Sequence, residues 1–586
     1  MAEALLFNYT FAVGETHDSL LADAPRDWRK QAPEQRTAIH QHNITRLSDH
    51  FRGAKRQAVV RPEQPLDERL AGYIVDGSRS GLVEDLELKR GEGAKPLEII
   101  NGPLMAGMAE VGRLFNANEL IIAEVLQSAE AMKAAVSHLE RFMDADASAA
   151  RGKVVLATVK GDVHDIGKNL VEIIFTNNGF EIVDLGIKVI PETLIEAVRR
   201  HRPDAVGLSG LLVKSAHQMV VTAEDLQASG VTAPILVGGA ALSARFTREK
   251  IAPAYGGSVI YCADAMAGLD TMLRIVEDGG VATNSKAAES TPEPVKPPVR
   301  APSRAATASA GRVVRTDLDP MPPPSIDRVV WSPVDDLREV WSFINPQMLY
   351  GKHLGLRGSF ARLVDEGDVK AEKLQTVIES LKDDVEAWMR VRTVWRYFEA
   401  EADGDTIAVF APGSQTPAHT FTFERQPKPG GLCLSDFILP PRDGVRDSVA
   451  LFVVGTGEGV RDRAAAAKEA GEFLESHAIQ ALAIETAEAT AEWLHARLRG
   501  LWGFPDPPEM TMKDRFAARY RGKRFSFGYP ACPDLDDQAA LWELLEPEEI
   551  GVTLTDGMMM EPEASVSAMV FHHPDARYFS VSGVHR

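Results

Sequence analysis

Between positions 61 and 147, the apolar residues recur at intervals of three and four. The stretch "EIINGPLMAGMAEVGRLFNANELIIAEVLQSAEAMKAAVSHLERFM" carries this pattern with few interruptions. Such spacing places apolar side chains on one face of a helix. Turn-forming residues punctuate the pattern at Gly102-Pro103 and at the Asn-Ala-Asn run 116–118. Residues 61–147 are therefore predicted to form a small four-helix bundle.

From residue 148 to 280 the pattern changes to short apolar runs that end in turn residues. Five runs, "KVVLATV", "EIVDLG", "DAVGLS", "PILVGG" and "SVIYC", alternate with helical stretches such as "PETLIEAVRRH". This alternation is typical of a doubly wound, Rossmann-like parallel sheet. Ligands of such sheets bind beyond the carboxyl ends of the strands. The candidate binding loops are therefore 161–167, 209–215 and 238–243.

The remaining chain divides into three further segments. Residues 1–60 are mixed and polar, and residues 281–327 are rich in Ala, Pro, Ser and Thr. The composition of residues 281–327 predicts a linker that is partly polyproline-like. Residues 328–586 mix amphipathic helices with strand-like runs such as "TIAVFAP" and "DSVALFVVG". That mixture predicts an α+β domain, and the chain as a whole is predicted to be multidomain.

Composition and charge narrow the class of protein. Hydrophobic residues make up 45% and charged residues 25%, as in ordinary globular proteins. The net charge of -20 argues against a nucleic-acid partner. Three distant cysteines, Cys262, Cys433 and Cys532, predict neither a disulfide framework nor a zinc site. No apolar run reaches transmembrane length, and the N-terminus lacks a basic signal segment, so we expect a cytoplasmic protein with no membrane partner.

One motif, "GDVHDIGKNL", follows the first predicted strand at residues 161–170. Asp162 and His164 flank a single residue, so their side chains point the same way in an extended loop. A carboxylate beside an imidazole fixes the tautomer and raises the basicity of the other nitrogen, as in metal-binding histidines. Taken alone, so short a motif is equally compatible with a solvated histidine that is satisfied by Asp162.

Two further loops complete a family pattern around this motif. They are "LSGLLVKSAHQ" and "GGAALS", and the glycines of the second allow close backbone approach to a ligand. The three loops resemble, in residues and spacing, the B12-binding domain of the cobalamin-dependent methionine synthase family. The resemblance implies methylcobalamin as cofactor and His164 as the lower axial ligand of cobalt. Asp162 would hydrogen-bond His164, and Ser215 would hydrogen-bond Asp162.

The same resemblance implies contacts between this domain and the rest of the cofactor. Val213 stands where the family has a threonine, so one polar contact is absent there. The implied contact residues, besides the three just named, are Gly161, Val163, Asp165, Gly167, Ser209, Val213, Gly238, Gly239 and Ala265.

The helical bundle resembles the cap of the same family through "NGPLMAGMAEVGRLFNANELIIAEVLQSAE". That cap shields the methyl group on the upper face of the cofactor. The resemblance implies cofactor contacts for Phe115, Ile121, Ile122 and Val125, and for Asn101, which stands where the family has a glutamate. The alternative is that these apolar residues form only the bundle core, and for Val125 both interpretations are equally strong.

The string "YRGKRFSFGYPACPD" resembles the core of the S-adenosylmethionine-binding activation domain of the family. "LREVWSFINPQMLYG" resembles the opening helix of that domain, and "HHPDARYFSV" resembles its closing segment. The resemblance implies that Arg524 pairs with the carboxylate of the methionine moiety, a role suited to a planar guanidinium. Asn345 stands where the family has an acid, and two more acids are absent at Ala496 and Ala518. The implied contact residues are Asn345, Arg524, Ser526, Gly528, Tyr529, Tyr578 and Phe579.

The resemblance covers roughly residues 40–586 and implies the cobalamin-binding and reactivation portion of a methyltransferase. Such a portion carries a methyl group on cobalt between methyltetrahydrofolate and homocysteine, and S-adenosylmethionine remethylates it reductively. The segment "HQHNITRLSDHFRGAKRQ" is similar to the tail of the family's folate barrel. The implied partners are homocysteine and methyltetrahydrofolate domains, in a missing N-terminal half or in separate subunits, and an electron donor such as flavodoxin.

The main alternative is a stand-alone corrinoid carrier that serves separate methyltransferase subunits. Such carriers share the cap and the B12 domain but end at a position equivalent to about residue 280. The resemblance of residues 328–586 to an activation domain therefore argues against a carrier. A B12-dependent regulator would need an output domain, which the acidic sequence does not suggest. Adenosylcobalamin mutases share D-x-H-x-x-G but lack this cap.

Overall fold

The computed structural model describes residues 64–143, 150–240, 242–277, 314–331, 334, 336–411 and 413–581. The predicted N-terminal segment 1–60 and most of the predicted linker lie outside the described residues. None of the helices in the described ranges combines the length and apolar character needed to cross a membrane.

The first unit is a helical bundle, as predicted. Helices α3 and α4 are joined by a π-helical turn, Ile100–Leu104, and run on as one rod, so the bundle has four helical rods. Its core contains Leu70, Ile74 and Leu86, all with no exposed surface. The helices are α1 (Leu66–Val75), α2 (Leu82–Gly91), α3 (Pro96–Ile99), α4 (Met105–Asn116) and α5 (Ile122–Leu139).

The second unit contains all five predicted strands in one parallel sheet of order β2-β1-β3-β4-β5. The order reverses beside β1, so the loops after β1 and β3 meet at one edge, where ligands of such sheets bind. Helices cover both faces and supply the connections. The elements are β1 (Gly152–Thr158), α6 (Ile166–Asn177), β2 (Phe180–Asp184), α7 (Pro191–His201), β3 (Ala205–Ser209), α8 (Val213–Ala228), β4 (Ile235–Gly238), α9 (Ala244–Phe246), β5 (Val259–Tyr261) and α10 (Ala265–Glu277).

The third unit is an α+β domain. Its main sheet has seven strands in the order β11-β14-β10-β7-β8-β9, with β6 paired to β7, and the long helix α15 packs against the sheet. The elements are β6 (Val329–Trp331), α11 (Leu337–Trp341), α12 (Phe360–Asp365), α13 (Val369–Val385), β7 (Arg392–Asp403), β8 (Thr406–Phe410), β9 (His419–Thr422), β10 (Asp447–Gly455), α14 (Val460–Ala470), α15 (Phe473–Leu501), α16 (Met512–Phe516), β11 (Lys523–Phe525), α17 (Gln538–Leu545), β12 (Thr553–Leu554), β13 (Met560–Glu561) and β14 (Ser565–Phe571).

The start of this domain differs from the sequence expectation in two ways. The stretch predicted as one opening helix forms α11 and a separate π-helical turn, Gln347–His353, because Pro346 disfavours helix at the preceding residue. The predicted linker also does not extend to residue 327. Val314 is 4% exposed in the domain core, and the N–H of Met321 donates to the fully buried Asp447 at 2.9 Å.

The third unit is docked on the second. The Thr555 hydroxyl donates to the carbonyl of Gly161 at 2.9 Å. Ion pairs add to this contact, with Lys188 2.7 Å from Glu561 and a second pair joining α14 to α6 at 2.8 Å. The docking brings the loop after β1 against the third unit and forms a cavity between the two units.

Candidate functional site

His164, Asp162 and Ser215 form a chain of hydrogen bonds at the end of β1. The His164 Nδ1 atom lies 2.5 Å from Asp162 Oδ1, and the Ser215 hydroxyl donates to Asp162 Oδ2 at 2.5 Å. The N–H groups of His164 and Leu211 also donate to this carboxylate, at 2.9 and 2.8 Å. Asp162 engages Nδ1, so Nε2 is the nitrogen of His164 that can bind a metal.

The Asp162–His164 pair is buried, which sets its protonation. Asp162 is fully buried, whereas the His164 side chain is 20% exposed. Burial favours a neutral carboxyl, but hydrogen bonds from His164 and Ser215 outweigh it and lower the pKa of Asp162. Burial also disfavours a charged imidazole, but the Asp162 carboxylate outweighs it and raises the pKa of His164. The pair therefore retains a proton between Asp162 and Nδ1.

A cavity of about 370 Å³ lies along the carboxyl ends of β3 and β4 inside the parallel sheet domain. It is lined by five of the residues predicted to contact the cofactor: Gly167, Ser209, Gly238, Gly239 and Ala265. Two of the other predicted residues of this domain contact the docked third unit. Val163 is 1% exposed in a hydrophobic cluster of that unit, Asp165 donates its N–H to Glu563 at 3.4 Å, and Val213 is the first residue of α8.

The cavity depends on a close backbone approach at Gly239. Its φ is +145°, and a Cβ there would lie 1.7 Å from the carbonyl oxygen of Gly210. No side chain fits without moving one of the two loops that border the cavity. Glycine is therefore required by contact as well as by backbone conformation.

We expect Gly239→Ala to lower the free energy of unfolding by about 3 kcal/mol or more, since the clash adds to the backbone strain. Chemical denaturation monitored by circular dichroism measures this loss. Gly230→Ala is the matched control, because Gly230 has φ +73° but nothing within 4 Å of the added Cβ. Equal losses in the two variants would contradict a steric requirement at Gly239.

A second cavity, of about 660 Å³, lies between the parallel sheet domain and the third unit. His164 lines it from one side and Arg524 from the other. Five more predicted residues line it as well: Ile122, Gly167, Asn345, Tyr529 and Tyr578. The two sites that the sequence predicts in separate domains therefore open into one space.

Arg524 lies among acids in this cavity. Its Nη2 donates to Glu488 Oε2 at 3.1 Å, and its Nε lies 3.7 Å from Glu492 Oε2. Burial disfavours the charge, but the two carboxylates outweigh it and raise the pKa of Arg524. Neither Arg524 Nε nor Glu492 Oε1 has a hydrogen-bond partner, although both atoms are buried. Opposite charges with unused hydrogen-bonding capacity suit a ligand that is itself zwitterionic.

The acids on α15 were missed by the sequence prediction. Glu485, Glu488 and Glu492 all line the cavity, and their spacing of three and four places them on one helical face. That spacing was the available signal. Glu563 was also missed; it lines the cavity, and burial raises its pKa to about 7.

The other predicted residues of the third unit lie outside the lining of this cavity. Ser526 accepts a hydrogen bond from the Cys532 thiol through its carbonyl at 2.9 Å, and Gly528 has φ +80° in the adjoining turn. Phe579 packs into the hydrophobic cluster below, with its ring 6.1 Å from that of Phe525. These three residues do not line the cavity.

Among the predicted cap residues, Ile122 alone lines the cavity that contains His164. Val125 is 1% exposed in the bundle core, and Phe115 packs partly buried against the same cluster. Ile121 is 6% exposed and packs with residues of the third unit. Asn101 is exposed in the π-helical turn. The described cap therefore lies beside the cavity, and the third unit covers it.

The residues present fit a cobalamin group. His164 offers one free ring nitrogen to the larger cavity, and the smaller cavity offers glycine-lined space deep in the sheet domain. Among the described residues, no group of three or more His, Cys, Asp or Glu side chains is arranged to hold a metal ion. A macrocycle that brings its own equatorial ligands needs only a single protein ligand.

Family models match the three units separately. Residues 336–586 match the activation domain of vitamin B12 dependent methionine synthase, and residues 152–269 and 66–140 match two B12 binding domain models. A crystal structure of the MetH reactivation domain bound to AdoHcy is 28% identical, with a TM-score of 0.43, over 46% of this chain and 85% of that one.

Two curated relatives match across the units. Methionine synthase of Mycobacterium tuberculosis is 37% identical over 564 residues, and that of Mycobacterium leprae is 36% identical over 573 residues. Each match covers 88% of this chain and 46% of the relative, so the chain spans about half the length of these relatives. The chain therefore contains domains that match the B12 binding domain and the activation domain of vitamin B12 dependent methionine synthase.

Proposed function

We propose that this chain binds cobalamin through His164 and that S-adenosylmethionine, bound at Arg524, remethylates the reduced cofactor. The observation that carries the proposal is that His164 and Arg524 line one cavity of about 660 Å³. A methyl donor and its acceptor must meet within one enclosed space. Bound cobalamin supplies a cobalt centre that accepts and releases a methyl group.

The hydrogen bonds of His164 suit a ligand that binds in one state of the cofactor and leaves in another. Nε2 would be the atom that holds the metal. The buried Asp162 carboxylate would stabilise the charge of an imidazole that takes up a proton once it no longer holds the metal. Ser215 keeps Asp162 oriented in both states through its 2.5 Å hydrogen bond.

At the other end of the cavity, Arg524 pairs with the carboxylate of the methyl donor. The donor also carries an ammonium and a sulfonium group, and three acids of the family are absent at Asn345, Ala496 and Ala518. Glu488 and Glu492 lie beside Arg524 and supply negative charge in their place. This assignment gives the donor site a local complement for each charge of the ligand.

The whole reaction needs domains that the described residues do not include. We propose that homocysteine and methyltetrahydrofolate are bound by further methyltransferase domains or by separate subunits. An electron donor of the flavodoxin type would reduce the cofactor before remethylation. The chain then acts as the methyl-carrying and reactivating part of methionine synthesis.

The test is to load the purified chain with cobalamin and to add S-adenosylmethionine with and without an electron donor. We expect the visible spectrum of methylcobalamin to appear only when both are present. We expect no sustained methionine formation from homocysteine and methyltetrahydrofolate, because the chain has only three scattered cysteines and no zinc thiolate site to activate the substrate thiol.

Adding homocysteine-binding and folate-binding methyltransferase domains in trans is the complementary arm. Methionine formation is then expected to require all components. Steady methionine formation by the chain alone would contradict the proposed division of labour, and absence of S-adenosylmethionine-dependent methylation would contradict the reactivation role.

A further inference from the structure

Glu492 lies beside Arg524 without forming a hydrogen bond to it. Glu492 Oε2 is 3.7 Å from Arg524 Nε, which is near enough for charge attraction but too far for a hydrogen bond. Arg524 Nε and Glu492 Oε1 are both buried, and neither has a hydrogen-bond partner among the described residues. Buried polar atoms are rarely left unpaired, so a further contact is needed to keep the Glu492 carboxylate from turning towards the guanidinium.

That contact is a hydrogen bond from Tyr520. Its hydroxyl donates to Glu492 Oε2 at 3.1 Å, so the oxygen that lies towards Arg524 is already engaged. Burial and the Glu492 carboxylate both raise the pKa of Tyr520, so the hydroxyl remains protonated and keeps its hydrogen to donate. Tyr520 is 8% exposed and lines the same cavity as Arg524 and Glu492. The hydroxyl therefore sets the orientation of a carboxylate in the wall of that cavity.

The Tyr520 ring is itself held by three buried side chains. The guanidinium carbon of Arg499 lies 3.9 Å from the ring centroid, and Lys523 Nζ lies 4.9 Å from it. The His495 ring packs edge-on at 5.1 Å, and burial together with nearby cations lowers its pKa, so it is neutral. Arg499 is anchored in turn by Asp506, to which it donates two hydrogen bonds at 2.7 Å. A ring packed in this way presents its hydroxyl in one direction.

The second acid beside Arg524 is arranged differently. Glu488 Oε2 accepts a hydrogen bond from Arg524 Nη2 at 3.1 Å, but the Glu488 side chain is 43% exposed. An exposed ion pair contributes little, so Glu488 can move into solvent and give way to the carboxylate of a ligand. The Glu492 side chain is only 11% exposed. Its position therefore decides whether Arg524 Nε is open to a ligand.

We propose that Tyr520 is a positioning residue for the S-adenosylmethionine site: it holds Glu492 off Arg524 and so keeps Nε free for the carboxylate of the ligand. The inference rests on the proposed function, in which Arg524 binds that carboxylate. Without the hydroxyl, Glu492 can turn to Arg524 and form a charge-assisted hydrogen bond. The carboxylate of the protein then competes with the carboxylate of the ligand.

The test variant is Tyr520→Phe, which removes the hydroxyl and keeps the packed ring. Tyr397→Phe is the matched control. The Tyr397 hydroxyl is also buried and donates to the carbonyl of Leu498 at 2.9 Å, but Tyr397 lies outside the cavity lining. Each variant therefore loses one buried tyrosine hydroxyl that is hydrogen-bonded to α15, and only one of the two changes the cavity.

The measurement is isothermal titration calorimetry of the full chain with S-adenosylmethionine and with its decarboxylated analogue. We expect Tyr520→Phe to weaken the binding of S-adenosylmethionine about tenfold. Its affinity for the analogue is expected to stay unchanged, because the analogue has no carboxylate to compete with Glu492. Tyr397→Phe is expected to leave both affinities unchanged. A loss of packing alone would weaken both ligands equally in Tyr520→Phe, and that result would overturn the inference.

Arg524→Ala provides a second test. Without the guanidinium, Glu492 has nothing to occupy, so adding Tyr520→Phe is expected to cause no further loss of S-adenosylmethionine affinity. A further tenfold loss would mean that Tyr520 acts by another route, and it would also overturn the inference. Unchanged affinity in Arg524→Ala alone would contradict the proposed site and the inference together. A loss in Arg524→Ala without a loss in Tyr520→Phe would overturn only the inference.

Discussion

Replacing His164 by glycine is expected to remove the nitrogen hyperfine coupling from the electron paramagnetic resonance spectrum of bound cob(II)alamin. The physical reason is that Asp162 engages Nδ1 and leaves Nε2 as the atom available to coordinate cobalt. The variant is still expected to bind cobalamin, because the cofactor contacts proposed for the 370 Å³ cavity do not involve the imidazole. The effect on the coupling is expected to be complete.

Ser215→Ala is the control for this measurement. It removes one hydrogen bond to Asp162 but keeps the imidazole, so the nitrogen coupling is expected to persist. If the coupling survives in His164→Gly, another residue or the cofactor's own base coordinates cobalt, and the assignment of the axial ligand fails.

Replacing Arg524 by alanine is expected to weaken S-adenosylmethionine binding by about 30-fold or more. Removing one partner of a buried guanidinium–carboxylate pair costs about 2–5 kcal/mol, and each 1.4 kcal/mol is tenfold in affinity. Arg524 is part of the cavity wall and its Nε has no partner in the protein, so a ligand carboxylate can use it fully. Isothermal titration calorimetry of the full chain measures the loss.

Arg519→Ala serves as the matched control for Arg524→Ala. Arg519 is 67% exposed, pairs with Asp514 at 2.9 Å, and lies outside the cavity lining. Its replacement is expected to leave the affinity unchanged. Unaltered binding in Arg524→Ala would exclude Arg524 from the donor site.

The meeting of the loops that follow β1, β3 and β4 could be predicted from the sequence because strand order constrains them. In a parallel sheet, loops that follow adjacent strands share an edge, so Asp162 and Ser215, at 2.5 Å, could be expected to meet from the pattern of strands. The same logic places Gly239 against Gly210. Such contacts follow from regular backbone geometry.

The acids beside Arg524 escaped prediction for the opposite reason. Helix α15 is buried on most of its surface, so the three-and-four spacing of Glu485 and Glu492 with Glu488 does not tell a face that lines a cavity from one that meets solvent. The exposed fractions of Glu485 and Glu492 are 3% and 8%. Helical periodicity identifies the face of a helix that meets solvent, and it gives no such information for a helix that is covered on nearly every side.

The cap shows a related limit. Spacing of three and four places Ile122 and Val125 on neighbouring parts of a helix, but it cannot say whether their partner is a cofactor, the bundle core or another domain. In the structure, Val125 faces the core and Ile122 faces the activation domain. The sequence around a residue carries no signal for contacts with segments so far away in the chain.

The burial of Val163 has a thermodynamic consequence. This side chain stands between Asp162 and His164 and yet belongs to the hydrophobic cluster of the activation domain. Any ligand that favours one arrangement of this loop therefore changes the free energy of docking, and docking changes the affinity of the loop for that ligand by the same factor. Ligand binding at this loop and docking of the two domains are thus one coupled equilibrium, so solution conditions that shift one also shift the other.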